Sequence, residues 1–329
     1  MARRRGTPAG RASTLPGAPE EPPPRAGGQA GRALGGRRLA DREGALAWLF
    51  LTPAVVYIIA LVGLPFLLAV AFSFSDVTGG DPSFDWVGLQ NFERIFTDPV
   101  FWRSLRNTFV FTAISMLLIV VLGKVLANVL IADFRGRWLV RFLVLLPWTT
   151  PVALSTITWL WMLDSVFSPF DWVLRQLGLI QTNMFWLGRP TLAMASVIGV
   201  HVWRLVPLAA VIMMAGLLSI PKDLQEQARV DGAGYWRRMV EITIPLTAPV
   251  IAISALFGAI FTFTDMAVVY VLTRGGPTNE TQVLTSWAFF RGIEGSDIGQ
   301  GAAIALFLFP LLLAAAIAIL RVVRRMEVS

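Results

Sequence analysis

Six long apolar segments divide this sequence and constrain its fold more than any other feature. They lie at about 45–74, 107–131, 139–163, 191–218, 246–273 and 299–323. About 20 apolar residues in a helix are enough to cross a ~30 Å hydrocarbon layer. Backbone groups in lipid must be hydrogen-bonded within the protein, which favours helices over irregular chain. The sequence therefore predicts an all-α integral membrane protein with six transmembrane helices.

The composition supports a membrane protein and excludes several kinds of site. Of 329 residues, 55% are hydrophobic and 15% are charged, whereas soluble domains carry about 25% charge. There is no cysteine, which excludes disulfides and thiolate metal sites. Neither of the two lysines, Lys124 and Lys222, lies in a G-x-x-x-x-G-K-[ST] loop, so the chain lacks that ATP-binding motif. With one histidine there is no His/Glu metal spacing either, and we predict no catalytic residue and no metal site.

The first 44 residues differ from the rest of the chain. They are rich in Arg, Pro, Gly and Ala, a composition that buries too little apolar surface to fold. We predict a disordered cytoplasmic tail at 1–44 and a transmembrane domain at 45–329. The apolar run at 45–74 is too long for a signal peptide, whose apolar stretch has about 7–15 residues, and is predicted to be helix 1.

The distribution of arginine and lysine predicts the orientation. The tail, two alternate loops and the C-terminus hold nineteen of these residues, and the opposite loops hold seven. Cytoplasmic segments carry the excess of Arg and Lys, so both termini are predicted to be cytoplasmic. The net charge of +7 is then explained by topology and does not indicate nucleic-acid binding.

One loop on the predicted cytoplasmic side, 219–245, is long and patterned. Pro221 suits the first position of a helix, and Asp231 with Gly232 can end that helix, because glycine readily adopts the left-handed conformation. A second short helix is predicted to run to Pro245, where helix 5 begins. Periodicity alone leaves an ordinary amphipathic connector as an alternative.

This loop resembles the coupling loop of the permease subunits of ATP-binding-cassette importers, whose pattern is E-A-A-x₃-G-x₉-I-x-L-P. Five positions match at the required spacing, while Gln227 and Ile244 depart mildly from it; the matches are Glu226, Ala228, Gly232, Ile242 and Pro245. The resemblance implies a MetI-like fold and a loop that docks on an ATPase subunit. The coupling residues that it implies are Glu226, Ala228, Asp231, Gly232 and Ala233.

Other stretches are similar to the carbohydrate-uptake branch of these permeases, to the first of its two non-identical subunits. They include 88–92, Asn107 with Thr108, Leu146 with Pro147, Trp203 with Arg204, and 271–277. The resemblance implies an inner-membrane, multi-pass subunit that works with a second permease, an ATPase dimer and an extracytoplasmic solute-binding protein. It implies a sugar or sugar-like solute, most simply a di- or oligosaccharide, with glycerol phosphate or a phosphodiester as the alternative. ATP and Mg would be bound by the ATPase partner, so no cofactor is expected in this chain.

Ionisable groups within the spans are candidates for the solute path, because they are costly in lipid and face cavities. They are Lys124, His201, Arg204 and Asp265, and Trp148 offers a flat face for a sugar ring. The resemblance to the maltose-type relative implies solute contacts at Trp148, Val152, His201, Arg204, Leu205, Gly258, Thr262, Asp265 and Ala267.

Several alternatives remain open from the residues alone. His201 could bond a neighbouring helix, Arg204 and Asp265 could form a structural ion pair, and Lys124 could reach towards an interface. At the level of function, the alternatives are an ion-coupled secondary transporter, an intramembrane hydrolase or transferase, and a membrane scaffold. A secondary transporter should show internal repeats with matched broken helices, and the sequence shows none. An intramembrane enzyme would need more carboxylates within the spans than Asp265. A scaffold would leave the spacing from Glu226 to Pro245 unexplained.

Overall fold

The structure, a computed structural model, describes residues 33–81 and 83–327, and helices dominate both ranges. The only strand pairing in them is an isolated bridge between Ser75 and Trp86. The α-helices are α1 (Ala33–Ile58), α2 (Leu64–Ser73), α3 (Gln90–Thr97), α4 (Pro99–Ile131), α5 (Arg137–Thr149), α6 (Val152–Met162), α7 (Pro169–Gln176), α8 (Pro190–Leu218), α9 (Lys222–Val230), α10 (Tyr235–Arg238), α11 (Ile244–Phe263), α12 (Ala267–Thr273), α13 (Leu284–Phe289) and α14 (Ile298–Glu327). Three π-helical turns lie at Ile59–Gly63, Met239–Thr243 and Phe290–Glu294.

The chain separates into two units, 1–63 and 64–329. In the first unit, α1 begins at Ala33, so residues 33–44, which we predicted as part of the tail, are helical. Residues 1–32 lie outside the described residues, and their disorder stays a prediction. The second unit contains the remaining helices and all the candidate site residues.

Five of the six predicted spans are single helices long enough to cross a membrane, and the other is a bent pair of helices. Within the described ranges, five helices are long and apolar enough to cross a membrane: Leu46–Ser73, Pro99–Ile131, Pro190–Leu218, Tyr235–Phe263 and Ile298–Arg321. The pair α5 and α6, whose axes differ by 96°, adds a sixth if the two helices together count as one span. The structure thus gives an all-helical protein with up to six transmembrane segments.

The helix predicted at 139–163 bends because of Pro151. Proline has no backbone N–H and disfavours helical geometry in the residue before it. Thr150 accordingly has an extended backbone (φ −74°, ψ 138°), and a new helix begins after Pro151. Hydropathy continues across the bend, which explains why the apolar pattern indicates one helix.

Helices 2 and 5 also differ from their predicted bounds. Helix 2 begins at Pro99 rather than at 107, because the Asp98 side chain accepts a hydrogen bond from the Val100 N–H and caps the helix. Helix 5, predicted at 246–273, starts at Tyr235 and ends at Phe263. After a break at 264–266 the chain continues in α12.

Two close helix contacts hold the centre of the second unit together. A Cβ on Gly123 of α4 would lie 2.9 Å from the Cβ of Ala209 in α8, and one on Gly216 of α8 would lie 2.9 Å from Val250 in α11. Such distances admit only glycine, as in other tightly packed membrane helices. The core formed by α4, α8 and α12 is lined by Phe111, Ile119, Val197, Leu205 and Val268. It fixes the positions of the polar groups described next.

Candidate functional site

The loop 219–245 folds as a helix, a tight turn and a second helix, as predicted. After α9, Gly232 adopts φ +75°, a conformation that favours glycine over residues with a side chain. The Gly232 N–H donates to the Arg229 carbonyl at 3.1 Å, and the Ala233 N–H donates to the Ala228 carbonyl at 2.9 Å. These two bonds form a Schellman motif, which satisfies the terminal carbonyl groups of α9.

The second helix of the loop is continuous with a transmembrane span. From Tyr235 to Phe263 the chain forms one helix of 29 residues that includes a π-helical turn at Met239–Thr243. Pro245 therefore does not begin a separate helix 5: it lies inside this continuous helix, directly after the π-helical turn, and such a local change of helical geometry accommodates the N–H that proline lacks. The loop is thus mechanically joined to the membrane domain.

The predicted coupling residues divide into exposed and buried groups. Glu226, Asp231 and Gly232 are exposed, Ala233 is half-buried and Ala228 is buried. Ala228 therefore lies on the buried face of α9 and not at the surface. Two large exposed side chains beside the turn were missed by sequence reasoning: Val230 is 87% exposed and Trp236 is 75% exposed. The signal that could have found them is the presence of large apolar side chains in an otherwise polar loop.

A second group of predicted residues meets where helix 5 breaks. His201 of α8 is fully buried, and its Nδ1 lies 2.8 Å from Oδ2 of Asp265. Its Nε2 lies 2.9 Å from Oγ1 of Thr262. Asp265 also accepts a hydrogen bond from the Val268 N–H at 2.9 Å, which supports the first turn of α12. The cluster therefore ties α8 to both sides of the break.

The polar atoms of this cluster satisfy one another. The Thr262 hydroxyl donates to the Gly258 carbonyl at 2.6 Å, so its oxygen accepts a bond from His201 Nε2–H. The other ring nitrogen, Nδ1, bonds the Asp265 carboxyl group. Ionisable groups within membrane spans are generally paired in this way.

The ion pair between Arg204 and Asp265, which we held as an alternative, is not formed. Asp265 is paired with His201, and in the described part of the chain Arg204 has no carboxylate within ion-pair distance. The Arg204 guanidinium lies 5.6 Å from the centroid of the Trp148 ring, and its Nε is buried without a hydrogen-bond partner. Lys124 Nζ donates a hydrogen bond to the Thr247 hydroxyl of α11 at 3.3 Å.

Trp148 and Arg204 form a group of their own with one residue that the sequence did not single out. Phe261 contacts the edge of the Trp148 ring, with centroids 5.5 Å apart. Trp148 precedes the bend at Pro151, and Val152 follows it, half-buried. The bend between α5 and α6, the centre of α8 and the end of α11 therefore meet at this point.

The remaining predicted contacts are less accessible. Leu205 is buried in the core, and Gly258 is buried beside Ile119. Both line a cavity of about 10 Å³ with Phe257, which is at the lower limit for one water molecule. Ala267 is half-buried at the start of α12. In this conformation the accessible candidates are thus Trp148, Val152, Arg204 and Ala267.

The motif at 271–277 lies at the end of α12 that is farther from the break at 264–266, and it contains an ion pair. Arg274 Nη2 lies 2.8 Å from Oε1 of Glu294, and the Tyr270 hydroxyl donates to the same carboxylate. The hydrogen bond from Tyr270, with the Arg274 guanidinium beside it, holds the pKa of Glu294 below its usual value. These contacts join the exit of α12 to the segment that precedes α14.

The motif residues Asn107 and Thr108 form hydrogen bonds to the segment that follows α12. Asn107 Nδ2 donates to the carbonyls of Glu280 and Gln282 at 2.7 and 3.0 Å. Thr108 Oγ1 accepts a hydrogen bond from the Leu284 N–H at 2.9 Å. They hold the loop after α12 against α4, so their role in this structure is to position that loop.

The described structure thus combines a helix–turn–helix loop that is fused to a span with a polar break at the far end of that span. Residues 119–328 match the family described as binding-protein-dependent transport system inner membrane component. The chain belongs to this family, the permease subunits of ATP-binding-cassette importers, and is a multi-pass protein of the plasma (inner) membrane.

Individual proteins give the same assignment. The chain is 33% identical to the trehalose/maltose transport system permease protein MalF of Thermococcus litoralis over 87% of its length and 96% of the relative's. It is 31% identical to the sulfoquinovosyl glycerol transport system permease protein SmoG of Agrobacterium fabrum, over 87% and 92%. A crystal structure of a bacterial transporter for the import of alginate has the same fold, with a TM-score of 0.75 at 21% identity over 88% of this chain and 99% of that one.

Proposed function

We propose that this subunit forms half of the translocation pathway for a sugar or sugar-like solute, most simply a di- or oligosaccharide. The observation that carries the proposal is the loop 219–234, a capped helix and turn that continues without interruption into the span Tyr235–Phe263. The relatives that transport trehalose or maltose and sulfoquinovosyl glycerol support the solute class. A glycerol phosphate or phosphodiester stays the second candidate within the same importer class.

The loop is suited to receive force from an ATPase partner. Glu226 and Asp231 present charge, while Val230 and Trp236 present apolar surface at the same turn. Interfaces of this kind combine an apolar centre with a polar rim. In this proposal a dimeric ATPase binds ATP and Mg, and its closure displaces the turn, while this chain performs no chemistry.

The displacement has a defined route into the membrane. Because the helix from Tyr235 to Phe263 is continuous, motion at the turn reaches the break at 264–266. There the hydrogen bonds of Asp265 to His201 and to the Val268 N–H connect α11, α8 and α12. A rigid element acting on a break between packed helices is a common basis for switching between two states.

The solute path is proposed to pass Trp148 and Arg204. Phe261 and the indole of Trp148 offer aromatic surface for sugar rings, and Arg204 offers hydrogen-bond donors. A second, similar permease completes the path, and an external solute-binding protein delivers the solute. His201, Thr262 and Asp265, which we expected to contact solute, are assigned to the structure of the break because their polar atoms already bond one another.

The proposal is tested by transport in proteoliposomes that contain both permeases and the ATPase. With the binding protein outside and ATP inside, uptake of labelled disaccharide is expected, and a proton or sodium gradient without ATP should give none. Empty vesicles and vesicles with ADP inside are the controls. Uptake driven by an ion gradient alone would contradict the proposal and favour a secondary transporter.

A further inference from the structure

A polar cavity lies where the loop 219–245 meets the ends of the transmembrane helices. Its volume is about 480 Å³, and its walls come from the last turns of α4 and α8, from α9 and from the helix that follows the turn. Three basic side chains, those of Lys222, Arg229 and Arg238, line it together with one acidic side chain, that of Glu226. The cavity therefore carries an excess of positive charge.

Arg238 is the residue of this cavity that lacks a counter-charge. Its Nε and Nη1 atoms are buried without a hydrogen-bond partner, and within the described ranges it forms no ion pair. The neighbouring Arg237, by contrast, is exposed and paired with Glu241, with 2.9 Å between Arg237 Nε and Glu241 Oε2. Arginine stays protonated in proteins, and a partly buried charge is costly unless it is paired. The cavity thus favours an anionic group beside Arg238.

An apolar groove adjoins the cavity. It has a volume of about 690 Å³ and lies between α4 and the helix that continues from the loop into the membrane. Asn128, Tyr235 and Met239 line both the cavity and the groove. From Asn128 the groove extends along α4 to Val120, which is about 12 Å at 1.5 Å per residue. The groove therefore begins at the cavity and runs along the transmembrane helices.

The wall of the groove is suited to acyl chains. Among the described residues that line it, one is charged, Lys124, whose Nζ donates to the Thr247 hydroxyl. Its aliphatic side chains are those of Val120, Val121, Val125, Val129, Ile244 and Ile251. A basic cavity at the ends of the spans, followed by an aliphatic groove along them, matches the layout of a phospholipid, which has a phosphate next to its acyl chains.

We infer that the cavity and the groove together bind an anionic phospholipid, with its phosphate beside Arg238 and its acyl chains along the groove. Basic pockets between transmembrane helices on the cytoplasmic side of a membrane bind anionic headgroups, and the loop 219–245 is on the side that we propose to be cytoplasmic. A free phosphate would suit the cavity but would leave the groove without an occupant. The lipid would lie between α9 and the ends of α4 and α8, and would support the loop from the membrane side. The inference does not depend on which solute is transported.

The first test titrates the delipidated complete importer with single lipids and counts the bound molecules by native mass spectrometry. The probes are dioleoylphosphatidylglycerol, which is anionic, dioleoylphosphatidylcholine, which has no net charge, and inorganic phosphate. We expect phosphatidylglycerol to bind more tightly than phosphatidylcholine and to stay bound when phosphate is added. Equal affinity of the two lipids would overturn the inference. Displacement of phosphatidylglycerol by phosphate would also overturn it and would indicate a site for a soluble anion.

The second test compares Arg238→Gln with its matched control Arg237→Gln, which removes the same charge one residue earlier. Loss of a hydrogen bond to a charged group corresponds to roughly ten- to hundredfold weaker binding. We expect that loss for phosphatidylglycerol with Arg238→Gln and an affinity close to the wild type with Arg237→Gln. Equal effects of the two variants would contradict a specific site. Unchanged lipid affinity together with loss of another subunit from the Arg238→Gln complex would assign Arg238 to a partner's carboxylate and overturn the inference.

A third variant tests the groove and does not require Arg238 to be changed. Val121 is exposed in the groove, so Val121→Trp fills part of the space for the acyl chains, and we expect loss of the tightly bound phosphatidylglycerol. The control is Val110→Trp, at an exposed position outside the groove and about three turns away on the same helix, which should retain the lipid. Tight binding of phosphatidylglycerol to the Val121→Trp complex would contradict the inference.

Discussion

Replacing His201 with leucine is expected to lower the stability of the folded subunit by about 3–5 kcal/mol. The substitution leaves the Asp265 carboxylate buried with one remaining partner, the Val268 N–H, and breaking a buried pair by removing one member carries a cost of that size. The measurement is the thermal unfolding midpoint of the detergent-solubilised complex, together with its abundance in the membrane.

Two double variants identify the partner of Asp265. His201→Leu with Asp265→Asn removes the stranded charge and keeps an oxygen acceptor for Val268, so stability should largely recover. His201→Leu with Arg204→Gln should not recover, because Arg204 does not touch Asp265. Wild-type stability of His201→Leu combined with reduced uptake would instead place His201 and Asp265 in the solute path.

Gly232→Pro is expected to abolish ATP-dependent uptake while the protein still inserts into the membrane. Proline fixes φ near −65°, whereas Gly232 has φ +75° and uses its N–H to bond the Arg229 carbonyl. The Schellman motif would be lost, and the turn would no longer present Glu226 and Asp231 in one arrangement. Uptake and ATPase stimulation by the binding protein are the measurements.

The matched control is Gly234→Pro, two residues later in the same turn. Gly234 has φ −64°, which proline adopts without strain, and a Cβ there meets no atom within 4 Å. This variant should transport at a rate close to the wild type. Equal activity of the two proline variants would show that the turn does not transmit force.

The coupling loop was predictable because its signals are local. A proline opens α9, and an aspartate followed by glycine closes it through hydrogen bonds between residues no more than five positions apart. The extension of the second short helix into the span was not predicted, since Pro245 was taken as a boundary, whereas the π-helical turn at Met239–Thr243 allows the helix to continue through it.

The solute site was less predictable because it depends on how helices are rotated against one another. Residue types within the spans correctly indicated His201, Arg204 and Asp265 as unusual, but His201 and Asp265 are 64 residues apart. Opposite charge favoured Arg204 as the partner of Asp265, whereas helix packing brings His201 to it, one turn earlier on the same helix. The contact of Phe261 with Trp148 likewise depends on tertiary packing and has no short-range signal.

Cross-linking from the coupling turn tests the central claim most directly. The chain has no cysteine, so single cysteines can be introduced and labelled without background. Suitable positions are Gln227 and Thr278, which are both exposed. The two variants are compared in inside-out and right-side-out vesicles that contain the complete importer. The account predicts that Gln227→Cys cross-links to the ATPase subunit, with a yield that changes on ATP binding, and that Thr278→Cys reacts only from the opposite side of the membrane. Cross-linking of Thr278→Cys to the ATPase, or labelling of Gln227→Cys from outside intact cells, would contradict it.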